Sequence, residues 1–203
     1  DEASLWSRFH FRPHFFQHAG FRLVQSAGDG DAVRLDRAGA SGQVYEDPQI
    51  LNDYLLLHYG SPEEQMPYAF GPHDAVEFPV RCARWLLDAA RDYGVSTGKA
   101  LEVGCAVGRA SFELAREYRE VLGVDLSRAF IDAADALRRD GELRYFRKDE
   151  GQLGVTRNAM VDPAIDRSRV SFRQADACSL PAELMDFDAV LLANLLCRLP
   201  SPK

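Results

Sequence analysis

With 203 residues, 46% of them hydrophobic and 27% charged, the chain has globular composition and length enough for one domain, or a modest domain with a tail. Its net charge of −7, with acidic residues scattered along it, argues against a sequence-independent grip on nucleic acid, which needs a positive surface. No apolar run approaches the ~20 residues that span a bilayer, and residues 1–25 lack the apolar segment of a signal peptide.

The first 25 residues are aromatic and basic, unlike anything after them, and too short to bury a core of their own. Residues 26–43, rich in Gly, Ser, Ala and Asp with no sustained period, read as a linker. His10, His14 and His18 would align on one helix face as a metal site, but Pro13 breaks such a helix and alternating Phe9 and Phe11 prefer a strand. No metal site is expected. Cys82, Cys105, Cys178 and Cys197 form no C-x-x-C pair and suit free thiols in a reducing compartment, so the expected location is the cytoplasm.

Residues 44–203 read as one domain. Asp47-Pro48 offers a cap and a first-turn proline, Ile50, Leu51, Tyr54, Leu55 and His58 mark a helical face, and Gly60 ends it. Residues 61–79, with four prolines, read as loop. Within them Pro67-Tyr68-Ala69-Phe70-Gly71-Pro72 is either a lid or a plain connector. A second helix with Val80, Ala83, Trp85, Leu86, Ala89 and Ala90 on its apolar side runs to near Gly94.

Strands and helices then alternate. Residues 100–103 read as a strand, 109–118 as a helix and 121–124 as a second strand. Ser127 caps a helix in which Phe130, Ile131, Ala134 and Leu137 recur up to Gly141. Residues 170–173 and 187–193 read as the third and fourth strands. The order predicts an α/β fold with right-handed crossovers, a doubly wound, mostly parallel sheet. Residues 142–168, long, charged and weakly patterned, read as a functional insertion or a mobile loop. Lys203 falls just after the fourth strand, where such a sheet normally continues, so the expectation is a sheet truncated there and a chain cut from a longer polypeptide at both ends.

The densest chemistry lies in Leu101-Glu102-Val103-Gly104-Cys105-Ala106-Val107-Gly108-Arg109. A glycine turn between a buried strand and a helix lets backbone N–H groups approach a ligand closely. The dinucleotide fingerprint places its last glycine five positions after the first; here Gly104 and Gly108 are four apart, and the acidic Glu102 precedes them. Alone, such a turn is also a plain structural device. Its combination with Asp125, Asp176 and Asp188, each at the C-terminal end of an expected parallel strand, points to a ligand site.

This pattern resembles motif I of class I methyltransferases, which have a Rossmann-like fold and use S-adenosylmethionine. The resemblance implies that Glu102, Gly104, Cys105, Ala106 and Gly108 hold the amino-acid portion of the cofactor. Asp125 with Leu126 would take the ribose, since a carboxylate accepts two hydroxyl hydrogen bonds. Asp176 with Ala177 would take the adenine, and Asn194, in the Phe187-Asp188-Ala189-Val190 region, would close the site beside the methyl group. Ala106 departs from the commoner middle glycine.

Longer segments carry a narrower resemblance: Val44-Tyr45-Glu46, residues 52–60, Phe78-Pro79-Val80-Arg81-Cys82-Ala83, residues 102–109 and 193–200. They are similar to the methyltransferase domain of the bifunctional ovothiol-biosynthesis family. That likeness implies methylation of the imidazole Nπ of 5-thiohistidine, behind a covalently fused iron-dependent 5-histidylcysteine sulfoxide synthase. Arg8-Phe9-His10-Phe11 and His18-Ala19-Gly20-Phe21-Arg22-Leu23 resemble the closing strands of that upstream formylglycine-generating-enzyme-like module, whose Fe(II) ligands are absent from this sequence. Asn194 and Tyr45 are then the expected catalytic residues, with Tyr45, Asn52, Tyr54, His58 and Arg81 contacting substrate; for each singly, a core or capping role competes. The implied partner is a small molecule, with no nucleic acid and no membrane. The alternatives are a methyltransferase of another small metabolite, or a non-catalytic cofactor-binding module.

Overall fold

A computed structural model describes residues 42–151 and 153–199. The readings of 1–25 as an upstream remnant, of 26–41 as linker, and of His10, His14 and His18 fall outside the described residues.

A 3-10 helix, Gly42–Glu46, leads into α1, Pro48–Tyr59. The Asp47 carboxylate accepts the N–H groups of Gln49 and Ile50, and Pro48 occupies the position where a missing N–H costs nothing. The stretch expected as loop after Gly60 is more ordered than that. Ser61 and Glu64 form a capping box for the short α2, Pro62–Gln65, and a 3-10 turn follows at His73–Ala75. The prolines there begin turns rather than break them. Gln65 is buried: its amide donates to Gly60 O at 2.8 Å and its carbonyl accepts the N–H of Glu77 at 2.9 Å. One side chain thereby ties the end of α1 to the start of α3, Phe78–Asp92.

The remaining elements are β1 Lys99–Val103, α4 Arg109–Leu114, β2 Glu120–Asp125, α5 Arg128–Asp140, β3 Glu142–Glu150, β4 Leu153–Met160, β5 Val170–Gln174 and β6 Ala189–Leu191. Helix α4 stops at Leu114 rather than Tyr118, because the chain must turn there; Arg119 and Glu120 then bond back to Thr97 O and Gly98 O, which starts β2 beside β1. The fourth strand of the sheet, β6, is shorter than expected.

β5, β2, β1 and β6 form one parallel sheet in that order, with register Leu101↔Leu122 and Leu101↔Val190. The reversal of order at β1, with later strands added on both sides of it, is the doubly wound arrangement, and the crevice it opens lies at the strands' C-terminal ends. Strand periodicity divides the core in two. Ala100, Val121 and Val170 face a large cluster with Leu55 and Leu56 of α1, Ala83 and Leu87 of α3, Phe112 of α4 and Phe130 of α5. The alternate residues Leu101, Val103 and Val124 face a smaller cluster closed by Leu184, Phe187 and Leu195. At the edge, Val190 and Leu192 remain exposed.

Residues 142–168 are not a loop. β3 and β4 form an antiparallel hairpin, Leu143↔Ala159 and Tyr145↔Arg157, with an irregularity between Lys148 and Glu150. Tyr145 and Ala159 enter the main core, while most other positions are exposed or half-exposed, so the alternation is weak over a charged sequence. Asn52 accepts the Phe146 N–H at 3.0 Å, and Glu64 pairs with Arg147 and Arg157, fastening the hairpin to α1 and α2. No helix among the described residues is long and apolar enough to cross a membrane.

Candidate active site

The strand-to-helix turn after β1 is held in an unusual backbone shape. Gly104 and Gly108 have φ of 79° and 80°, in the left-handed region that favours glycine, and Ala106 between them adopts 47°. The loop is pinned to β2: the N–H groups of Gly104 and Cys105 bond Val124 O at 2.8 and 3.0 Å. Ala106 N–H donates to Asp125 Oδ2 at 2.9 Å, and Ser127 N–H to Asp125 Oδ1 at 2.9 Å. Burial pushes the Asp125 carboxyl above its ordinary range, against the pull of these backbone donors.

The two glycines do different work. A Cβ on Gly104 would lie 3.0 Å from Leu195 Cδ1, a side chain arriving from the turn after β6 at the crevice. A Cβ on Gly108 would lie 2.5 Å from Phe172 and 3.2 Å from Ala134, inside the helical side of the core. Gly104 therefore leaves room for the Leu195 side chain over the turn, and Gly108 permits close packing of α4 against the sheet.

Around Asp125 the chain is drawn in from several directions. Ala175 N–H bonds Asp125 O at 2.9 Å, which sets the turn carrying Asp176 and Ala177 beside it. Asp176 is exposed and accepts the Cys178 N–H at 2.8 Å. Leu126 is exposed at the strand end. Ser127 Oγ donates to Tyr45 O at 3.0 Å, and the Glu46 carboxylate accepts the N–H groups of Arg128 and Ala129, so the segment before α1 is stitched to the start of α5. Tyr45, Tyr54 and Phe130 pack ring to ring, with Tyr54 at 4.6 Å from Phe130 and 6.1 Å from Tyr45. Burial first, then the neighbouring Tyr45, raises the Tyr54 phenol well above its ordinary value. Asn194, exposed with φ of 54°, turns the chain after β6 beside Leu195. Gly104, Ala106, Asp125, Leu126, Asp176, Ala177, Asn194, Tyr45 and Tyr54 thus gather at the C-terminal end of the sheet.

Other expected site residues lie within the fold, and two of them keep a buried nitrogen without a hydrogen-bond partner among the described residues, His58 Nδ1 and Arg81 Nε. Glu102 is buried one position short of the strand end, where Ser111 Oγ donates to it at 2.5 Å; burial pushes its carboxyl up to about 8. Cys105 is fully buried and its thiol is pushed up by that burial. Asn52 is engaged by the hairpin. His58 lies among Tyr54 and Tyr59 with Nδ1 buried, and burial with the nearby Arg109 cation lowers its imidazole to about 3. Arg81 lies over the Trp85 ring at 5.7 Å. Asp188 is a correction of position: its carboxylate accepts the Lys99 N–H at 2.7 Å, at the entrance of β6 and thus the opposite end of the sheet from the crevice. Phe70 of the expected lid stacks on Tyr68 at 5.4 Å and is exposed.

Sequence reasoning missed Glu46 as the brace of α5, Ser111 as the partner of Glu102, and Arg198, whose Nη1 donates to Tyr45 Oη at 3.2 Å. Only the third left a trace, four positions after Asn194 in the same segment.

The residues fit a cofactor with an amino-acid end and a ribose: a glycine cradle that a Cβ would obstruct, and a carboxylate at the end of the next strand. Residues 101–203 match the family model described as a methyltransferase domain. The chain belongs to that family. The methyltransferase domain is of the class I, S-adenosylmethionine-dependent type. It is also similar to YcgJ from Bacillus subtilis, at 18% identity over 55% of this chain and 37% of that one, with a TM-score of 0.37. EvdMO1 is 25% identical over 62% of this chain and 24% of its own, with a TM-score of 0.43. The N-terminal domain of EvdMO1, in the presence of SAH and D-fucose, is 24% identical over 59% and 40%, with a TM-score of 0.42. The chain thus spans well under two thirds of the length of each of these. No curated protein matches it.

Proposed function

We propose that the methyltransferase domain transfers a methyl group from S-adenosylmethionine to the imidazole Nπ of 5-thiohistidine, in a protein whose upstream part is an iron-dependent 5-histidylcysteine sulfoxide synthase. The observation that carries this reading is the convergence of its most distinctive segments. Tyr45 and Tyr54, from before and within α1, and Asn194 and Arg198, from after β6, stand at the same end of the sheet as Asp125. Those segments, at 44–46, 52–60 and 193–200, are the ones that resemble the ovothiol-biosynthesis family.

The cofactor supplies an electrophilic methyl on a sulfonium. Transfer to the ring nitrogen would form the N–C bond as the S–C bond breaks, and the ring would then release its proton to solvent. A neutral imidazole nitrogen already holds the lone pair, so the protein's task is positioning and exclusion of water. Selectivity is the difficulty, because the thiohistidine sulfur is the softer nucleophile. Tyr45 and Asn194 have donors and acceptors able to fix the ring so that Nπ, not sulfur, faces the methyl group. Tyr54, with its phenol held protonated, serves as a donor. Asn52 supports the acceptor side by holding the hairpin at the Phe146 N–H.

The test is product mass and ring-proton NMR after incubating the protein with S-adenosylmethionine and 5-thiohistidine or histidine. Methyl on Nπ of the thiolated ring, with histidine nearly untouched, is the expected result, since groups that pair with sulfur go unsatisfied when it is missing. Methyl on sulfur, or equal rates on histidine, defeats the assignment.

A further inference from the structure

We propose that Arg198 binds the carboxylate of an amino-acid acceptor. Arg198 closes the 3-10 turn Leu196–Arg198 after β6, and its N–H bonds Leu195 O at 2.8 Å. Leu195 is the residue against Gly104, so the guanidinium starts from the rim of the glycine crevice. It crosses 153 residues of sequence to reach Tyr45 Oη at 3.2 Å, and its charge also falls on Tyr54.

Its contacts are unlike those of most arginines here. Arg109, Arg116, Arg147, Arg157 and Arg173 each hold a carboxylate. Among the described residues no carboxylate pairs with Arg198, and a phenol oxygen is the acceptor it meets. A guanidinium offers five N–H donors in a planar fork that matches a carboxylate with two parallel bonds. A half-buried fork with one such donor placed on Tyr45 has the remaining ones for a ligand. The cofactor's ribose end is marked by Asp125, whereas Arg198 stands with the Tyr45–Tyr54 pair on the acceptor side, and this assigns it to the acceptor. The inference rests on the acceptor reading above, and names the group on the substrate that is recognised.

The experiment compares Arg198→Gln and Arg198→Lys with the parent chain. Kinetics use 5-thiohistidine and its decarboxylated amine; equilibrium titrations on protein saturated with S-adenosylhomocysteine use histidine and histamine as well. Arg198→Gln is expected to raise KM for 5-thiohistidine roughly 10- to 100-fold, with a smaller change in kcat. The amines should be unaffected, affinity for S-adenosylhomocysteine should stay within about twofold, and Arg198→Lys should recover part of the loss. Equal losses for acid and amine, or a loss confined to S-adenosylhomocysteine, overturn the inference. If the parent chain does not methylate 5-thiohistidine, the acceptor reading fails. The titrations still decide whether Arg198 selects carboxylates, since a preference for the acid that Arg198→Gln does not abolish refutes it.

Discussion

Asp125 accepts the backbone N–H of Ala106 at 2.9 Å, so the carboxylate that ends one strand fixes the loop that follows its neighbour. The same side chain holds Ser127 N–H with its other oxygen. It shapes the loop, and we propose that it also accepts the ribose hydroxyls.

Asp125→Ala is therefore expected to weaken S-adenosylhomocysteine binding by about 1.5–3 kcal/mol, the range for hydrogen bonds to a charged group. Asp125→Asn keeps one accepting oxygen and should lose less. Calorimetric titration, with thermal unfolding to verify the fold, measures both. Affinity unchanged in a folded Asp125→Ala variant would remove this residue from the ribose site.

Gly104 and Gly108 share a backbone conformation but border different spaces, and their alanine variants should separate accordingly. Each costs about 1–3 kcal/mol in left-handed strain. Gly108→Ala adds a clash with Phe172 at 2.5 Å and should lower the melting temperature further. Gly104→Ala displaces the mobile end of Leu195 and should lose cofactor affinity out of proportion to its stability loss. Identical profiles for the two variants would contradict the division.

Glu102 carries a proton to unusually high pH: burial raises its carboxyl from 4.5 to about 8. Between those values the unfolded chain has released the proton and the folded chain keeps it, so this residue makes stability fall as pH rises through that window. Below 4.5 both states are protonated and the effect is absent. Glu102→Gln removes the titration while keeping an acceptor for Ser111. Melting curves of the two proteins should draw together near pH 4.5 and separate by pH 8.5 in favour of the variant. Parallel curves across the range would count against a buried protonated Glu102.

The hairpin is fastened by Glu64, which holds Arg147 and Arg157 from an incompletely buried position. Glu64→Ala should cost only about 1 kcal/mol or less in global stability. Proteolysis within 142–160 should nevertheless quicken, because the ribbon's remaining attachment to the helices relies on Asn52, Tyr145 and Ala159. Unchanged cleavage there would show that the ion pairs do not hold the ribbon.

Local signals in the chain were enough for the parallel strands, the helices α1, α3 and α5, and the glycine turn after β1. Each is written in short range: Asp47-Pro48 and Ser127 as caps, short apolar runs in β1 and β2, and glycines where φ turns positive. The hairpin escaped because Tyr145 and Ala159 are its main core contributions, and two inward residues among charges leave no visible period. Asp188 and Glu102 looked like site carboxylates because sequence shows which strand a residue belongs to, not which end its side chain serves. Packing decided that Asp188 ties β6 to Lys99 and that Glu102 points to Ser111. The meeting of Tyr45 with Arg198 depends wholly on tertiary structure. A hydrogen bond between residues 153 positions apart exists only once the sheet order has brought both ends of the domain to one rim.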